Sequence, residues 1–302
     1  MKGHTTDSTA NIWLMINKNQ FPLNFELVNH PNATIEVKSS CHKKWCTYNL
    51  HIKELAALEN NLKIYNEEEE QVFTFTNTNQ IKKDSFSFLL GSCTFRWGPI
   101  LPIMPSNGYK IFRSMNNHDT DLMLWLGDNV YYLFRDHLNE SQMFKENALN
   151  RKKKAMSAFL QSKQHYAIWD DHDYGPNNSD GSYEKKEITK RVFDDFWANP
   201  TSNKEGNYYA FQYANAEFFM LDSRWFKKDS TSLLGAEQLQ WLIDGLEKST
   251  ATFKFVALGS QIINPLGLNH ERFAAYKEEY NTLLETAVKL ENVVFLSGVM
   301  HY

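Results

Sequence analysis

Apolar and polar residues alternate at period two through short runs in the first quarter of the chain, at residues 12–16, 25–28, 34–37, 45–52 and 72–75. Successive side chains of a strand point to opposite faces, so this alternation predicts half-buried strands; the Asn-rich or Pro-containing stretches between them predict turns. Together these runs predict a small all-β sandwich of the immunoglobulin or fibronectin kind over residues 1–80, with no chemistry of its own. Residues 63–71, which include four consecutive glutamates from Glu67 to Glu70, read as a solvated hairpin tip or loop.

The pattern changes from Asp84. Apolar strands at residues 86–90, 121–126, 253–258 and 293–296 alternate with amphipathic helices at 151–164, 184–198, 235–248 and 271–290, and residues 208–214 and 217–221 form a hairpin. Strands alternating with helices predict an α/β domain over residues 84–302.

Those strands end in reactive side chains. Cys93, Asp128, Asp171 with His172, Asp222, Gln261 and His301 each follow the carboxyl end of an apolar run. In α/β sheets ligands bind in the crevice beyond the strand ends, so these residues are expected to converge; the alternative is that strands simply end in polar residues. The densest stretch is Asp170-Asp171-His172-Asp173, delivered by Tyr166-Ala167-Ile168-Trp169 and followed by Tyr174-Gly175-Pro176-Asn177-Asn178. Adjacent carboxylates repel unless a cation or water neutralises them. The apolar flanks favour a metal over a solvated Asx-rich turn with His172 at the surface.

Composition narrows the field. A chain of 302 residues makes one large or two medium domains. A formal charge of −4 gives no general electrostatic attraction for nucleic acid or an anionic membrane. No run reaches the roughly 18 apolar residues of a membrane span, and residues 1–11 hold no signal-peptide core. Of three cysteines, Cys41 and Cys46 are close enough in sequence to pair, but the odd total makes no disulfide framework. Neither Ser92 nor Ser260 sits in a nucleophile elbow, and no Gly-rich phosphate loop is present. The basic run Arg151 to Lys154 reads as a solvated helix start in preference to a polyanion site. The aromatic clusters at 193–197 and 225–226 read as core or as the wall of a pocket.

Taken in order, Gly91-Ser92-Cys93, Trp125-Leu126-Gly127-Asp128-Asn129-Val130-Tyr131, the stretch from Ala167 to Asn177, Phe196-Trp197-Ala198-Asn199-Pro200, Leu221-Asp222-Ser223-Arg224, and Phe295-Leu296-Ser297-Gly298 with His301 resemble the PhoD-like alkaline phosphatases of the calcineurin-like metallophosphoesterase superfamily. The resemblance covers residues 84–302. It implies a sandwich of two mixed β-sheets flanked by helices, often behind a small β-sandwich, and hydrolysis of phosphate mono- or diesters by metal-activated water. It implies two or more metal ions, calcium and ferric iron in the first place and manganese or zinc as alternatives. Asp128 matches the bridging carboxylate, Asp171 a ligand of the second metal, Cys93 a thiolate ligand of iron, and His301 a further ligand. His172 matches a residue that stabilises the transition state or protonates the leaving oxygen, with Asp173 orienting it through a hydrogen bond.

Asn177 and Asn178 are implied as phosphate contacts or neutral oxygen ligands. Arg224 either clamps phosphate or forms a salt bridge with Asp222. A secreted or periplasmic location is implied as well. Two positions depart from the pattern: Phe95 stands where a phenol ligand is expected, and Val299 where a carboxylate is. The chain stops at Tyr302, where the resemblance leads one to expect further strands. The departures leave a second reading open, a non-catalytic relative that binds metal or phosphate or serves as an interaction scaffold.

Overall fold

A computed structural model describes residues 1–28, 30, 32–77, 85–95, 109–133, 136–201, 205–229, 231–264 and 272–298. In chain order the elements are β1 (Lys2–Thr5), β2 (Ala10–Asn17), β3 (Asn24–Val28), β4 (Thr34–His42), β5 (Trp45–Lys53), β6 (Glu59–Tyr65), β7 (Glu70–Thr76), β8 (Phe88–Gly91), α1 (Lys110–Asn116), β9 (Leu122–Leu126), α2 (Glu140–Arg151), α3 (Lys154–Ser162), β10 (Gln164–Ile168), α4 (Asp171–Tyr174), α5 (Lys186–Phe196), β11 (Tyr209–Tyr213), β12 (Ala216–Met220), α6 (Ala236–Lys248), β13 (Phe253–Leu258), α7 (Lys277–Ala287) and β14 (Val293–Ser297).

Among the described residues three sheets form, in the orders β4-β5-β2-β1-β10-β9-β8, β11-β12-β13-β14 and β3-β6-β7. The first is mixed: its front half is antiparallel, and β1, β10, β9 and β8 run parallel. Successive side chains of β9 and β10 point to two covered faces, so every residue of both strands is buried. Leu122, Leu124, Leu126, Tyr166 and Ile168 pack with Phe211, Phe218, Met220 and Ala257 of the second sheet. The intervening Met123, Trp125, Ala167 and Trp169 face Phe144 of α2, Phe159 of α3 and Phe193 of α5. A strand buried on both faces reads as a continuous apolar run, which is what the sequence carries at 122–126. Behind the second sheet, Phe219, Val256 and Leu258 pack with Leu242 of α6 and Leu283 of α7.

The front strands have a core of their own, in which Ile12, Leu50 and Ile52 meet Leu27, Leu62 and Phe75. Yet β1 pairs in parallel with β10 through Lys2 and Gln164, so the boundary drawn near residue 80 falls in the chain and not in the first sheet. Trp13 Nε1 donates to the Asp195 carbonyl oxygen, 2.9 Å, and Asn49 Nδ2 to that of Asp194, 2.8 Å, tying the same strands to α5. Alternation announces a strand without naming its neighbour.

Two strands, β1 and β6, carry no clear alternation and are additions to the expected set; the glutamate run caps the β6–β7 hairpin, whose tip lies between Tyr65 and Glu70. Helices α1 and α2 are also additions. Helix α2 ends where a helix start was expected, because Asn147, Asn150 and Arg151 turn polar groups into the interior. Cys41 and Cys46 face each other across β4 and β5 and form a disulfide. No helix among the described residues is long and apolar enough to cross a membrane.

Candidate metal centre

The site begins where β9 ends. Gly127 has φ +89° and Asp128 φ +54°, two successive left-handed residues that turn the chain sharply over the sheet edge. A Cβ on Gly127 would lie 2.5 Å from that of Asp170, so only glycine lets the loops after β9 and β10 touch. Gly298 does the same for β14: its Cβ would sit 2.6 Å from the Leu126 carbonyl oxygen. The parallel strands thus deliver their terminal loops to one place.

There, donor atoms of Asp128, Asp171 and His172 lie within 4.8 Å of one another. Asp128 is 1% exposed and Asp171 fully buried, and His172 is half-buried. Asp128 Oδ1 accepts from the His172 backbone N–H, 3.3 Å. Its Oδ2 accepts from the Tyr131 hydroxyl, 3.0 Å, and from the Cys93 thiol, 3.4 Å. Asp171 accepts from the backbone N–H groups of His172, 3.0 Å, and Asn178, 2.7 Å. The stretch expected as a loop is the single helical turn α4, which lets Asp171 and His172 share one side of the site.

Burial, and next the charge of Asp128, push the Cys93 thiol up to about 12. Without a cation it is therefore protonated and acts as a donor; only a bound cation would make it a thiolate. The Tyr131 hydroxyl is raised by the same two causes in the same order. Tyr131 was not singled out in the sequence, although it stands three residues after Asp128 in the same loop. Its ring lies against His172, centroids 4.3 Å apart, and Phe95 packs edge-on against it at 4.8 Å. A phenol, that of Tyr131, therefore stands in the site beside Phe95, its hydroxyl donating to Asp128.

Two expectations are corrected. Asp173 does not orient His172: its carboxylate points inward and accepts from Val130 N at 3.1 Å, Asp170 N at 3.1 Å and Asn129 Nδ2 at 3.4 Å. Successive residues of a helical turn diverge by about 100°, which separates it from its neighbour. Burial first, and the charge of Asp128 second, hold its pKa well above the usual carboxylate range. Arg224 is 1% exposed, and its guanidinium pairs with Asp170, Nε to Oδ1 2.6 Å. Asp222 meets the Arg224 backbone N–H instead. Asn177 lies exposed next to the site, and the backbone N–H of Asn178 donates to Asp171. Val299 and His301 lie outside the described residues.

Asp170 and Asp222 complete a buried polar scaffold beneath the donors. Burial raises Asp170 to about 6 against the opposing effect of Arg224. Asp222 accepts from Trp169 Nε1, 2.7 Å, and from the backbone N–H groups of Asn207, Arg224 and Trp225. Two buried carboxylates, an imidazole, a thiol and a phenol in one crevice fit hard cations beside a thiolate-tolerant one.

Over its whole length the chain is similar to a solved structure titled "Structure of PhoD", with a TM-score of 0.72 at 16% identity, covering 99% of this chain and 70% of that one. Alignments to a cyclomaltodextrinase, at TM-score 0.21 and 7% identity, and to a type III pullulan hydrolase from Thermococcus kodakarensis, at 0.20 and 9%, each cover 99% of this chain and 59% of the other; scores that low carry no argument. No curated protein matches the sequence. The model of the PhoD-like phosphatases matches residues 88–302, and the chain belongs to that family.

Proposed function

We propose that the chain is a metal-dependent phosphoesterase that hydrolyses phosphate mono- or diesters with water in a single in-line displacement. The observation that carries this reading is the meeting of Asp128, Asp171 and His172 from two different strand-end loops. Asp128, Asp171 and Cys93, with His301, would hold the ions, calcium and ferric iron or else manganese or zinc. Ions bound there would polarise the phosphate oxygens and supply hydroxide from water near neutral pH.

The chain's own residues do the rest. The water oxygen forms a bond to phosphorus, the ester P–O bond breaks, and His172 is the group within reach to give the leaving oxygen its proton. Tyr131 fixes one oxygen of Asp128 and the plane of His172. Asp173 ties the loops after β9 and β10 together from below, so the donors are held by a rigid floor. The Cys41–Cys46 disulfide supports a secreted or periplasmic location.

The test is turnover of an aryl phosphate and an aryl phosphodiester by folded protein supplied with calcium, iron, manganese or zinc. Hydrolysis dependent on added metal supports the reading. No turnover with any of them favours a non-catalytic relative that binds metal or phosphate, the reading for which Phe95 and Val299 speak.

A further inference from the structure

Helix α2 grips the loop that carries Asp128. Asn147 and Asn150 stand three residues apart near its carboxyl end and so share one face, and each is only 4% exposed. Asn150 Nδ2 donates to the Asn129 carbonyl oxygen, 2.8 Å, and Asn147 Nδ2 donates to the Tyr132 hydroxyl, 2.7 Å. The two contacts bracket Val130 and Tyr131, and Asp128 directly precedes the first of them.

Neither amide can turn the other way. A backbone carbonyl only accepts, so Asn150 must show it the amide nitrogen; its oxygen is left for Tyr109, whose hydroxyl donates to it. A guanidinium only donates, so Asn147 Oδ1 faces Arg151 Nη1, 2.9 Å, and its nitrogen is left for Tyr132. Arg151 was expected at a solvated helix start and is 2% exposed. Its guanidinium carbon lies 4.6 Å from the Trp197 ring centroid and 4.8 Å from that of Phe196.

Burying an amide is unfavourable unless it is paired, and asparagine is a poor helix former. Alanine or leucine would suit the helix better at both places; what the asparagines add is a fixed turn from 129 to 132. Tyr132 points back to α2, 4% exposed, while Tyr131 enters the site, its hydroxyl on Asp128 and its ring against His172. We propose that Asn147 and Asn150 are positioning residues that set the direction of Tyr131 and the place of Asp128 for metal binding, an inference that rests on the metal-dependent reading of the site. Asp173 of α4 holds the same loop through Val130 N, so the donors are fixed from two helices.

The experiment follows backbone hydrogen exchange over residues 127–133 in the metal-free full chain, then affinity for manganese by calorimetry. Asn150→Leu is expected to speed exchange in that segment roughly tenfold, with the front strands unchanged. Adding Tyr109→Phe removes the hydroxyl left unpaired and is expected to restore global stability without restoring slow exchange, which keeps the test available if Asn150→Leu alone does not fold. Asn147→Leu should loosen the same segment. Asn147→Asp should not, because the Tyr132 hydroxyl can donate to a carboxylate as well as accept from an amide. Manganese affinity should fall roughly ten- to a hundredfold in the leucine variants and stay near wild type in Asn147→Asp. Unchanged exchange in the leucine variants, or faster exchange with unchanged affinity, overturns the proposal. Wild-type protein that binds no manganese counts against the metal-dependent reading instead, and the exchange contrast between Asn147→Leu and Asn147→Asp then decides whether α2 fixes the loop.

Discussion

The front strands and the strand-end loops are built on opposite principles. In the front unit the core is Ile12, Leu50, Ile52, Leu27, Leu62 and Phe75, and stability comes from apolar area withdrawn from water. In the loops after β9 and β10, buried Asp128, Asp170, Asp171, Asp173 and Asp222 are held by backbone N–H groups, Tyr131, Trp169 and Arg224. Carboxylates packed this closely destabilise one another unless donors and cations surround them. Among the described residues that cluster stands where strand ends meet, which locates chemistry more sharply than a cavity does. The difference teaches that activity and stability should respond separately to changes in the two regions.

The largest effect is expected at Asp128. Asp128→Asn removes the carboxylate at which Cys93, Tyr131 and the His172 N–H converge, and turnover of an aryl phosphate should fall by roughly a thousandfold or more, the scale of a lost electrostatic contribution of about 4 kcal/mol. Retained turnover would break the contrast outright. In the front unit, Leu62→Ala leaves a hole in a fully buried site and should lower unfolding free energy by about 2–5 kcal/mol, with kcat per folded molecule unchanged.

Asp173→Asn sharpens the contrast from the other side. The carboxylate accepts three hydrogen bonds, and an amide must turn a donor toward one of those N–H groups, for a loss of about 1–3 kcal/mol in denaturant unfolding. Metal affinity should fall with it, because the floor beneath Asp128 and Asp171 loosens. A variant with wild-type stability would remove Asp173 from the scaffold.

The smallest effect concerns pH in the metal-free protein. Asp170, Asp173 and Asp222 all have folded pKa values above the ordinary carboxylate value, with burial the leading cause in each. The folded state therefore binds more protons than the unfolded chain, and stability should decline as pH rises from the ordinary carboxylate range through about 6, where Asp170 titrates. Thermal midpoints across that window check the sign; a rise would mean the carboxylates are better satisfied in the fold than in water. Leu62→Ala should shift the whole curve without changing its slope.

Much of this was legible in the sequence where one residue type fixes one role. The apolar run at 121–126 reads as a strand, and acidic groups straight after the ends of such strands have few uses, so Asp128, Asp171 and His172 were found together. What was missed depends on direction and partners. The local sequence does not say that Asp173 turns away from its neighbours, nor that Arg224 reaches back to Asp170, 54 positions earlier. Tyr131 was quoted in the motif around Asp128 but given no role, because the local sequence does not say that its hydroxyl reaches that carboxylate. The short strand β1 lacks any apolar pattern, since its place is set by β10 alongside it. Arg151 looked like the solvated start of one helix when it is the buried end of another.

Metal stoichiometry asks most directly whether the donors gathered from separate strand ends act as one centre. Elemental analysis of folded protein, dialysed after loading with calcium and iron, should give about two ions per chain and a sharp loss in Asp128→Asn. Protein that retains no metal, or that retains the same amount in Asp128→Asn, would contradict the assignment.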